Sequence, residues 1–522
     1  MPTRSAPPSA TRRRFLAQVG TASAAALLVS RLRLAAASTG SAAAKIPDDV
    51  LFTSAKQLAA MIKAKKVSST EVVQAHIKRI EAVNPRLNAL VFPCFERALA
   101  EAKFADEALA KGKSLGALHG VPFTVKDSHE TKGVRSTGGT LGRKDHIPSR
   151  DATYIARLRD AGAVVLGKTN TPELTLSGQT TNLIYGKTHN PYKLGYQPGG
   201  STGGGASIIA AGGSPFDIGT DFGGSIRGPA HFCGIAGLKP TTGLVPRTGH
   251  IVDYGGYFDA FQVVGPMARW VEDLELITDI IRGPDYLDAA IVPAPWRDPK
   301  SVDLKKIKVV YYLNNGSERP LTPETEAAVK NTVALFKELG VTVVEDCPTD
   351  LIKESQEVRN AISTADGRAW VKRLLAKYGT TQVSSVISLT DTPQCNTAEF
   401  TRLAEAMDAN RSRFLGWIEP YDLLICPANY RPAEPWPDEP RAQPPDRKNF
   451  GFTTTYNNTG WPGTVVRAGT SPEGLPIGVQ LIAKPFCEDV SLAAAYFVEA
   501  AAGFGYQKPA ALDAPVPPVA KL

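Results

Sequence analysis

Apolar residues recur at helical spacing just after residue 50 of this chain. Ser54 precedes one such run, and Ser69 opens a second in which Val72, His76 and Ile80 share a face. A hydroxyl residue before an apolar repeat of three or four residues is typical of a helix N-terminus. The pattern therefore predicts two amphipathic helices, in which His76 is a buried face residue and not a ligand.

Short apolar runs farther along the chain have the length of β-strands. They lie at residues 121–125, 163–167, 421–426 and 477–482. Between residues 305 and 346 the order is strand, helix, strand, which is a βαβ unit, and a last helix is predicted at 489–502. This alternation predicts an α/β fold, specifically an α/β/α sandwich around a large mixed β-sheet.

Two later segments do not follow this alternation. Residues 427–445 are rich in proline, which excludes a helix or a central strand and predicts an ordered surface loop at the rim of a site. Residues 350–420 have a helical pattern between predicted core strands. Two interpretations stay open for this insertion: it builds part of a substrate pocket, or it is a plain helical cover.

The net charge of +8 in this chain of 522 residues suggests a nucleic-acid partner at first sight. Residues 1–44, however, contain six arginines and no acidic residue, so the rest of the chain carries +8 − 6 = +2. The basic character therefore belongs to the N-terminal segment, and we expect no nucleic-acid partner for the body of the protein.

The N-terminal segment has the features of an export signal. The residues from Thr11 to Leu16, TRRRFL, resemble the twin-arginine motif, and a short, modestly apolar run and small residues such as Ala37 follow. The run is too short to span a bilayer, and no other segment reaches 18 consecutive apolar residues. We expect a cleaved leader at 1–44, one large domain at 45–522, twin-arginine export machinery as a partner and a periplasmic or secreted enzyme. The alternative is a disordered basic tail.

Candidate chemistry concentrates in residues 199–240. This segment contains two Gly-Gly-Ser turns, with Ser201 and Ser225 24 residues apart, and Lys126 ends an apolar run 75 residues before the first. A lone Gly-Gly-Ser is usually a flexible turn, and a lysine taken at random is usually on the surface. Together, two hydroxyls and one amine can supply a nucleophile, a proton relay and a base, which favours acyl transfer without histidine.

Other chemistries fit the sequence less well. Gly199 to Gly203 matches the G-x-S-x-G elbow of α/β-hydrolases, but the last histidine is His250, which leaves no late catalytic histidine. The chain contains no zinc motif and no phosphate-binding loop. The six cysteines have no metal spacing and do not form a disulfide framework. We therefore expect neither a metal nor an organic cofactor.

With these motifs the chain resembles the amidase signature enzymes, which are serine hydrolases with a Ser–Ser–Lys triad. The likeness includes the 199–240 segment, with a signature core at about 115–270, and it extends over most of the chain after the leader. It is carried by residues 67–91, 120–133, 161–174, 265–269, 459–469 and 474–483. The resemblance implies the same α/β/α sandwich as the hydrophobic pattern.

The resemblance also implies a role for each residue. Lys126 matches the base, Ser201 the bridging serine that follows a cis peptide bond in the family, and Ser225 the nucleophile. Asp221 and Arg227 match charged residues that support the loop. The oxyanion hole is matched by the backbone N–H groups of Phe222, Gly223, Gly224 and Ser225.

Two positions in the signature depart from the usual family pattern. Thr202 replaces a second serine that the family often has, and we expect its hydroxyl to preserve hydrogen bonding in the loop. Phe222 places an aromatic ring beside the nucleophile, where it would narrow the acyl pocket.

The residues predict a mechanism for amide hydrolysis. A free lysine has a pKa of about 10.4, and burial lowers this value because it disfavours the charged form. Neutral Lys126 would then draw a proton from Ser201 and, through it, from Ser225, which attacks the substrate carbonyl. Each backbone donor of an oxyanion hole is worth about 3 kcal/mol.

We therefore expect an exported amidase acting on a small-molecule carboxamide. Alternatives are an esterase or aryl-acylamidase on the same triad, the glutaminase subunit of a tRNA-dependent amidotransferase, and a non-catalytic binding protein. The substrate and the oligomeric state stay open. Candidate pocket walls are the aromatic residues Phe222, Tyr254, Tyr257, Phe258, Trp417, Trp436 and Trp461.

Overall fold

The computed structural model describes residues 48–251, 257, 260–442 and 451–512. The leader expected at residues 1–44 lies outside the described residues, as do Tyr254 and Phe258. The chain from Ile46 onward forms one compact unit by its internal contacts. The single large domain expected at 45–522 and the cleavage of the leader both stay predictions.

The described residues form thirteen α-helices. They are α1 (Ala55–Lys63), α2 (Ser69–Leu87), α3 (Phe95–Ala110), α4 (Thr153–Asp160), α5 (Gly203–Ala210), α6 (Arg227–Cys233), α7 (Val271–Ile281), α8 (Pro323–Glu338), α9 (Thr349–Thr364), α10 (Ala369–Lys377), α11 (Thr397–Ile418), α12 (Thr454–Asn458) and α13 (Glu488–Ala500).

The same residues form thirteen β-strands. They are β1 (Leu90–Pro93), β2 (Pro122–Lys126), β3 (Val164–Thr169), β4 (Thr181–Asn182), β5 (Gly186–Lys187), β6 (Phe216–Asp221), β7 (Ala236–Lys239), β8 (Val263–Ala268), β9 (Lys308–Tyr311), β10 (Thr342–Glu345), β11 (Leu423–Pro427), β12 (Gly463–Thr470) and β13 (Pro476–Ala483).

The start of α2 shows how local sequence sets a helix boundary. The Ser68 hydroxyl accepts a hydrogen bond from the Glu71 N–H at 3.1 Å, and the Glu71 carboxylate accepts one from the Ser68 N–H at 2.7 Å. This reciprocal capping box satisfies donors that a helix N-terminus leaves unpaired. His76 is fully buried on this helix and bonds the Val72 carbonyl through Nδ1 at 2.8 Å, as expected for a core residue.

Eleven strands form one mixed sheet. Their order is β1-β3-β2-β6-β8-β7-β12-β13-β11-β9-β10, and β4 pairs with β5 separately. β2 is parallel to β3 and β6, while β9 is parallel to β10 and β11. The remaining pairs in the sheet are antiparallel, so the prediction of a mixed sheet and of a βαβ unit at 305–346 is confirmed.

Alternate residues of the strands pack on opposite faces of the sheet. Phe123 and Val125 of β2 belong to a large apolar cluster that includes Leu58 of α1 and Phe336 of α8. On the other face, Leu166 of β3 packs in a cluster with helices α2, α3 and α5. Since side chains along a strand alternate between faces, helices cover both sides, and the α/β/α sandwich is confirmed.

The parallel strands β2 and β6 place the candidate chemistry at one edge of the sheet. They are neighbours, with Thr124 opposite Asp217, so their carboxyl ends lie close together. Lys126 is the last residue of β2, and Asp221 is the last of β6. The crevice at the carboxyl ends of parallel strands is where α/β sheets commonly bind ligands.

The segment at 350–420 forms α9, α10 and α11, which confirms its predicted helical character. Among the described residues, no helix combines the length and the apolar composition that crossing a membrane requires.

Candidate active site

Lys126 extends from the end of β2 into a group of hydroxyls. Its side chain is fully buried. Its Nζ lies 2.7 Å from Ser201 Oγ, 3.0 Å from Thr202 Oγ1 and 2.8 Å from Thr220 Oγ1. The structure therefore brings together the amine and the first serine that the sequence singled out. Thr202 keeps hydrogen bonding in the loop, as expected, and Thr220 is a partner that the sequence did not reveal.

The surroundings of Lys126 favour its neutral form. Burial lowers the pKa of the Lys126 ammonium to about 7, although the negative charges of Asp217 and Asp221 act in the opposite direction. A neutral amine has two N–H donors and one lone pair, so one of its three hydroxyl neighbours must donate to it. The Thr202 hydroxyl already faces the Thr220 carbonyl at 3.4 Å, which leaves Ser201 or Thr220 as the donor.

Ser201 lies directly before α5 and is almost completely buried. The Gly200–Ser201 peptide bond is cis. The helix that follows packs closely against the chain after β3, because a Cβ on Gly204 would lie 2.3 Å from the Asn170 backbone nitrogen. Glycine at this position therefore lets α5 approach the sheet and hold Ser201 beside Lys126.

Ser225 lies in the loop between β6 and α6 and lines a cavity. Its hydroxyl makes no hydrogen bond with any described residue, whereas its carbonyl accepts one from the Thr202 N–H at 3.2 Å. The two serine loops are thus joined through their backbones. The link from Ser201 to the Ser225 hydroxyl, which the relay requires, is open in this geometry.

Three carbonyl contacts orient the peptide groups before Ser225. The Phe222 carbonyl accepts from Arg359 Nη2 at 3.0 Å, the Gly223 carbonyl from Thr453 Oγ1 at 2.7 Å and the Gly224 carbonyl from the Gly228 N–H at 2.7 Å.

In a trans peptide the N–H points opposite to the C=O. The contacts to the Phe222 and Gly224 carbonyls therefore turn the N–H groups of Gly223 and Ser225 away from those partners. Neither of these N–H groups bonds another described residue, and both residues line the cavity.

The Gly224 N–H differs from what the resemblance implied. It donates to Asp221 Oδ1 at 2.8 Å, so it is turned toward the carboxylate and is not offered to the cavity. Gly224 has a φ of +121°, and a Cβ there would lie 2.4 Å from Thr453 Oγ1, which explains the glycine. In this geometry, Gly223 and Ser225 are two of the four expected oxyanion donors whose N–H groups bond no described residue.

A buried ion pair supports the loop from below. Asp221 and Arg227 are fully buried, and Arg227 Nη2 lies 3.0 Å from Asp221 Oδ1. Burial alone would raise the pKa of the Asp221 carboxyl, but Arg227 and the hydrogen bonds from Arg227 and Asn457 hold it well below its ordinary value. The carboxylate also accepts from the Ile226 N–H at 3.1 Å, so it fixes the backbone on both sides of Ser225.

Several residues of this support were not found from the sequence. Asn457 Nδ2 donates to Asp221 Oδ1 at 2.9 Å, and Gln480 accepts from Arg227 Nη1 at 2.9 Å. Arg359, on α9, also lies over the rings of Phe222 and Phe261 at 4.3 and 4.1 Å. These residues are more than 130 positions from Ser225, and nothing in the local pattern marks them.

A cavity of about 590 Å³ opens over Ser225. One wall is a face of α9 with Gln356, Asn360 and Ser363, and a second holds Trp370 and Ile387. The insertion at 350–420 therefore builds part of the pocket. The described part of the proline-rich loop contributes Ala428, Asn429, Glu434, Arg441 and Ala442 to the lining, so it forms a rim as expected.

Only some of the aromatic residues expected as pocket walls line the cavity in the structure. Phe222 lines the cavity, whereas Tyr257 is not among the lining residues and packs against Phe261. Likewise, Trp417, Trp436 and Trp461 are not among the lining residues, and Trp461 is buried in an apolar cluster. Phe232 and Trp370 line the cavity without having been proposed.

Comparisons with known proteins agree with the fold and give the family. A family model described as Amidase matches residues 71–492. A glutamyl-tRNA(Gln) amidotransferase subunit of Moorella thermoacetica is 32% identical over 494 residues, which cover 88% of this chain and 99% of the relative. The acylamidase of Rhodococcus erythropolis is 32% identical over 477 residues, which cover 88% of this chain and 97% of the relative.

A solved structure extends the likeness to three dimensions. The 6-aminohexanoate cyclic dimer hydrolase, in complex with its substrate, superposes with a TM-score of 0.78 at 27% sequence identity. The match covers 89% of this chain and 100% of that chain.

We predict that Arg227→Met destabilises the protein strongly, because it leaves the Asp221 carboxylate buried without its ion pair. Breaking a buried pair in this way costs about 3–5 kcal/mol. Urea unfolding followed by fluorescence measures the loss. The control is Arg413→Met, which removes a half-exposed arginine paired with Glu354 and should cost less than about 1 kcal/mol. Equal, small losses in both variants would contradict the supporting role of the buried pair.

Proposed function

This chain belongs to the amidase signature family and is an amide hydrolase, and we propose that it cleaves a small-molecule carboxamide through an acyl-enzyme on Ser225. One observation carries the proposal: the buried Lys126 amine lies 2.7 Å from the Ser201 hydroxyl at the base of the cavity that Ser225 lines. A lysine with a pKa of about 7 is half neutral near physiological pH and can act as a general base.

The first half of the reaction transfers the acyl group to the enzyme. Neutral Lys126 takes the Ser201 proton while Ser201 takes the Ser225 proton, and Ser225 Oγ bonds to the carbonyl carbon. The carbonyl oxygen becomes an oxyanion that the Gly223 and Ser225 N–H groups can bind. The C–N bond then breaks as Ser201 gives its proton to the leaving nitrogen, because an amide anion is a very poor leaving group, and Lys126 returns its proton to Ser201.

The second half regenerates the enzyme. Water loses a proton to the same relay and attacks the ester carbon, which releases the carboxylate and restores the Ser225 hydroxyl. The relay requires the open link between the Ser201 and Ser225 hydroxyls to close during the reaction. Catalytic hydrogen bonds often tighten only when the substrate is bound.

The alternative functions expected from the sequence can be weighed against the exported amidase. The acylamidase and the amidotransferase protein have the same identity to this chain, 32%, so identity does not choose between them. The leader supports an exported amidase, because tRNA charging is cytoplasmic. Esterase activity would use the same residues. A non-catalytic binding protein would not need a buried amine against a serine.

The assay that tests this proposal is hydrolysis of a panel of aliphatic, aryl and anilide amides, with glutamine and simple esters included. We predict that Ser225→Ala lowers turnover at least about 1,000-fold, because it removes the atom that accepts the acyl group. Ser301→Ala, which changes an exposed serine outside the cavity lining, is the control and should retain full activity. Full activity in Ser225→Ala would refute the nucleophile, and turnover of glutamine alone would favour the amidotransferase hypothesis.

The protonation state of Lys126 sets the pH dependence of the hydrolysis rate. Lys126 is protonated below a pKa of about 7, so kcat/KM should fall about tenfold per pH unit below that value and level off above it. We predict that Lys126→Met has low activity without this inflection. An unchanged inflection in Lys126→Met would assign it to another group, such as Lys239, because burial also lowers the pKa of Lys239 to about 7.

We also propose that the protein is exported by the twin-arginine route, with residues 1–44 as its signal. In a bacterium that has this machinery, the full chain should appear in the periplasm or the medium. Arg12→Lys with Arg13→Lys should retain it in the cytoplasm, whereas Arg31→Lys with Arg33→Lys, outside the motif, should not. Cell fractionation and immunoblotting make the measurement, and export unaffected by the first pair would contradict the route.

A further inference from the structure

The cavity over Ser225 has an excess of positive charge. Among the described lining residues, the charged side chains are Arg359, Arg368, Arg441 and Glu434. Three of these four already have partners. Arg359 bonds Asn458 and the Phe222 carbonyl, Arg441 pairs with Glu439, and Glu434 pairs with Arg431. These three side chains therefore already make polar contacts within the protein.

Arg368 is different. It lies directly before α10, and its half-buried guanidinium makes no hydrogen bond or ion pair with any described residue. Its Nε is buried without a partner. The acidic group that acts on its charge is Asp366, whose carboxylate is directed to the Trp370 N–H at 2.8 Å and to Arg373 at 3.6 Å.

Removing a guanidinium from water without giving it a hydrogen-bond acceptor costs free energy. Arginine cannot avoid this cost by losing its proton, because it stays charged in proteins. Burial lowers the pKa of Arg368, which is a sign of this loss of water. The planar fork of arginine matches the two oxygens of a carboxylate. An unpartnered arginine in the lining of a substrate cavity is thus suited to bind an anion brought by the ligand.

The neighbouring lining suggests the rest of the ligand. Trp370, Val371 and Ile387 form an apolar surface beside Arg368, while Ser225 and Gly223 lie in the lining of the same cavity. A ligand that joins these features needs a reactive carbonyl, an apolar middle and an anionic end.

We propose that the substrate is an amide that also carries a carboxylate, and that Arg368 binds this carboxylate while the amide carbonyl lies at Ser225. This inference rests on the proposed amidase function and names its substrate class. Half-amides of dicarboxylic acids and acylated amino acids belong to this class. The carboxylate can lie on the acyl side or on the amine side of the scissile bond.

Two matched pairs of substrates test the proposal and distinguish the two sides. For the acyl side, the p-nitroanilide of glutaric acid, with its free carboxylate, is compared with that of pentanoic acid. For the amine side, N-acetyl-4-aminobenzoate is compared with N-acetyl-4-methylaniline. We expect the anionic member of one pair to have a kcat/KM about 10- to 100-fold higher, as a charge-assisted hydrogen bond provides.

Variants of Arg368 connect this preference to the side chain. Arg368→Gln should raise KM for the anionic substrate about 10- to 100-fold. KM for the neutral substrate should stay within about twofold of the wild-type value. Arg368→Lys should restore part of the preference. The matched control is Lys372→Gln on α10, the helix that Arg368 precedes. It removes an equal charge from a residue outside the lining and should change KM for neither substrate.

A binding measurement covers the case in which none of these amides is turned over. A fluorophosphonate probe should label Ser225 in both the wild-type protein and Arg368→Gln. Glutarate should slow this labelling in the wild-type protein and not in Arg368→Gln. The neutral competitor pentanamide should slow it equally in both proteins. Neutral amides hydrolysed without any anion preference, or labelling that glutarate does not slow, would overturn the anion site and leave the amidase function standing. No labelling of Ser225 at all would contradict the proposed function and the inference with it.

Discussion

The active site of this protein depends on keeping one amine away from water. Lys126 is fully buried, and its Nζ is surrounded by the hydroxyls of Ser201, Thr202 and Thr220. Burial disfavours the ammonium form and lowers the pKa of Lys126 to about 7, which the proposed role as a base near neutral pH requires. The hydroxyls satisfy the amine in either protonation state, since each can donate or accept a hydrogen bond.

The remainder of the fold provides this dry position and arranges the loop around it. Lys126 and Asp221 end neighbouring parallel strands, and α5 and α6 begin just after the two serines. The buried Asp221–Arg227 pair holds the backbone on both sides of Ser225. Arg359 adds a contact from the helical insertion to the Phe222 carbonyl. The same insertion lines the cavity, so one element both bounds the cavity and contacts the loop that carries Ser225.

The sequence predicted what depends on local patterns. The apolar run at 121–125 became β2 (Pro122–Lys126), and the last helix, expected at 489–502, is Glu488–Ala500. Lys126 and Ser201 could be singled out because their motifs are local and specific, and the structure places them in contact, whereas their catalytic roles stay predictions. Asn457, Gln480 and Arg359 were not found, because their roles depend on how distant segments pack. The direction of the Gly224 N–H was not predictable either, since it depends on where folding places the Asp221 carboxylate that accepts from it.

The most direct test of this account is the pKa of Lys126 in the folded protein. Lysine labelled with ¹³C at Cε reports its own protonation by NMR, and the Lys126 signal is the one that disappears in Lys126→Met. The account predicts a titration midpoint at about 7. A Lys126 that stays charged until its ordinary pKa of about 10.4 would contradict the claim that burial makes this amine the base.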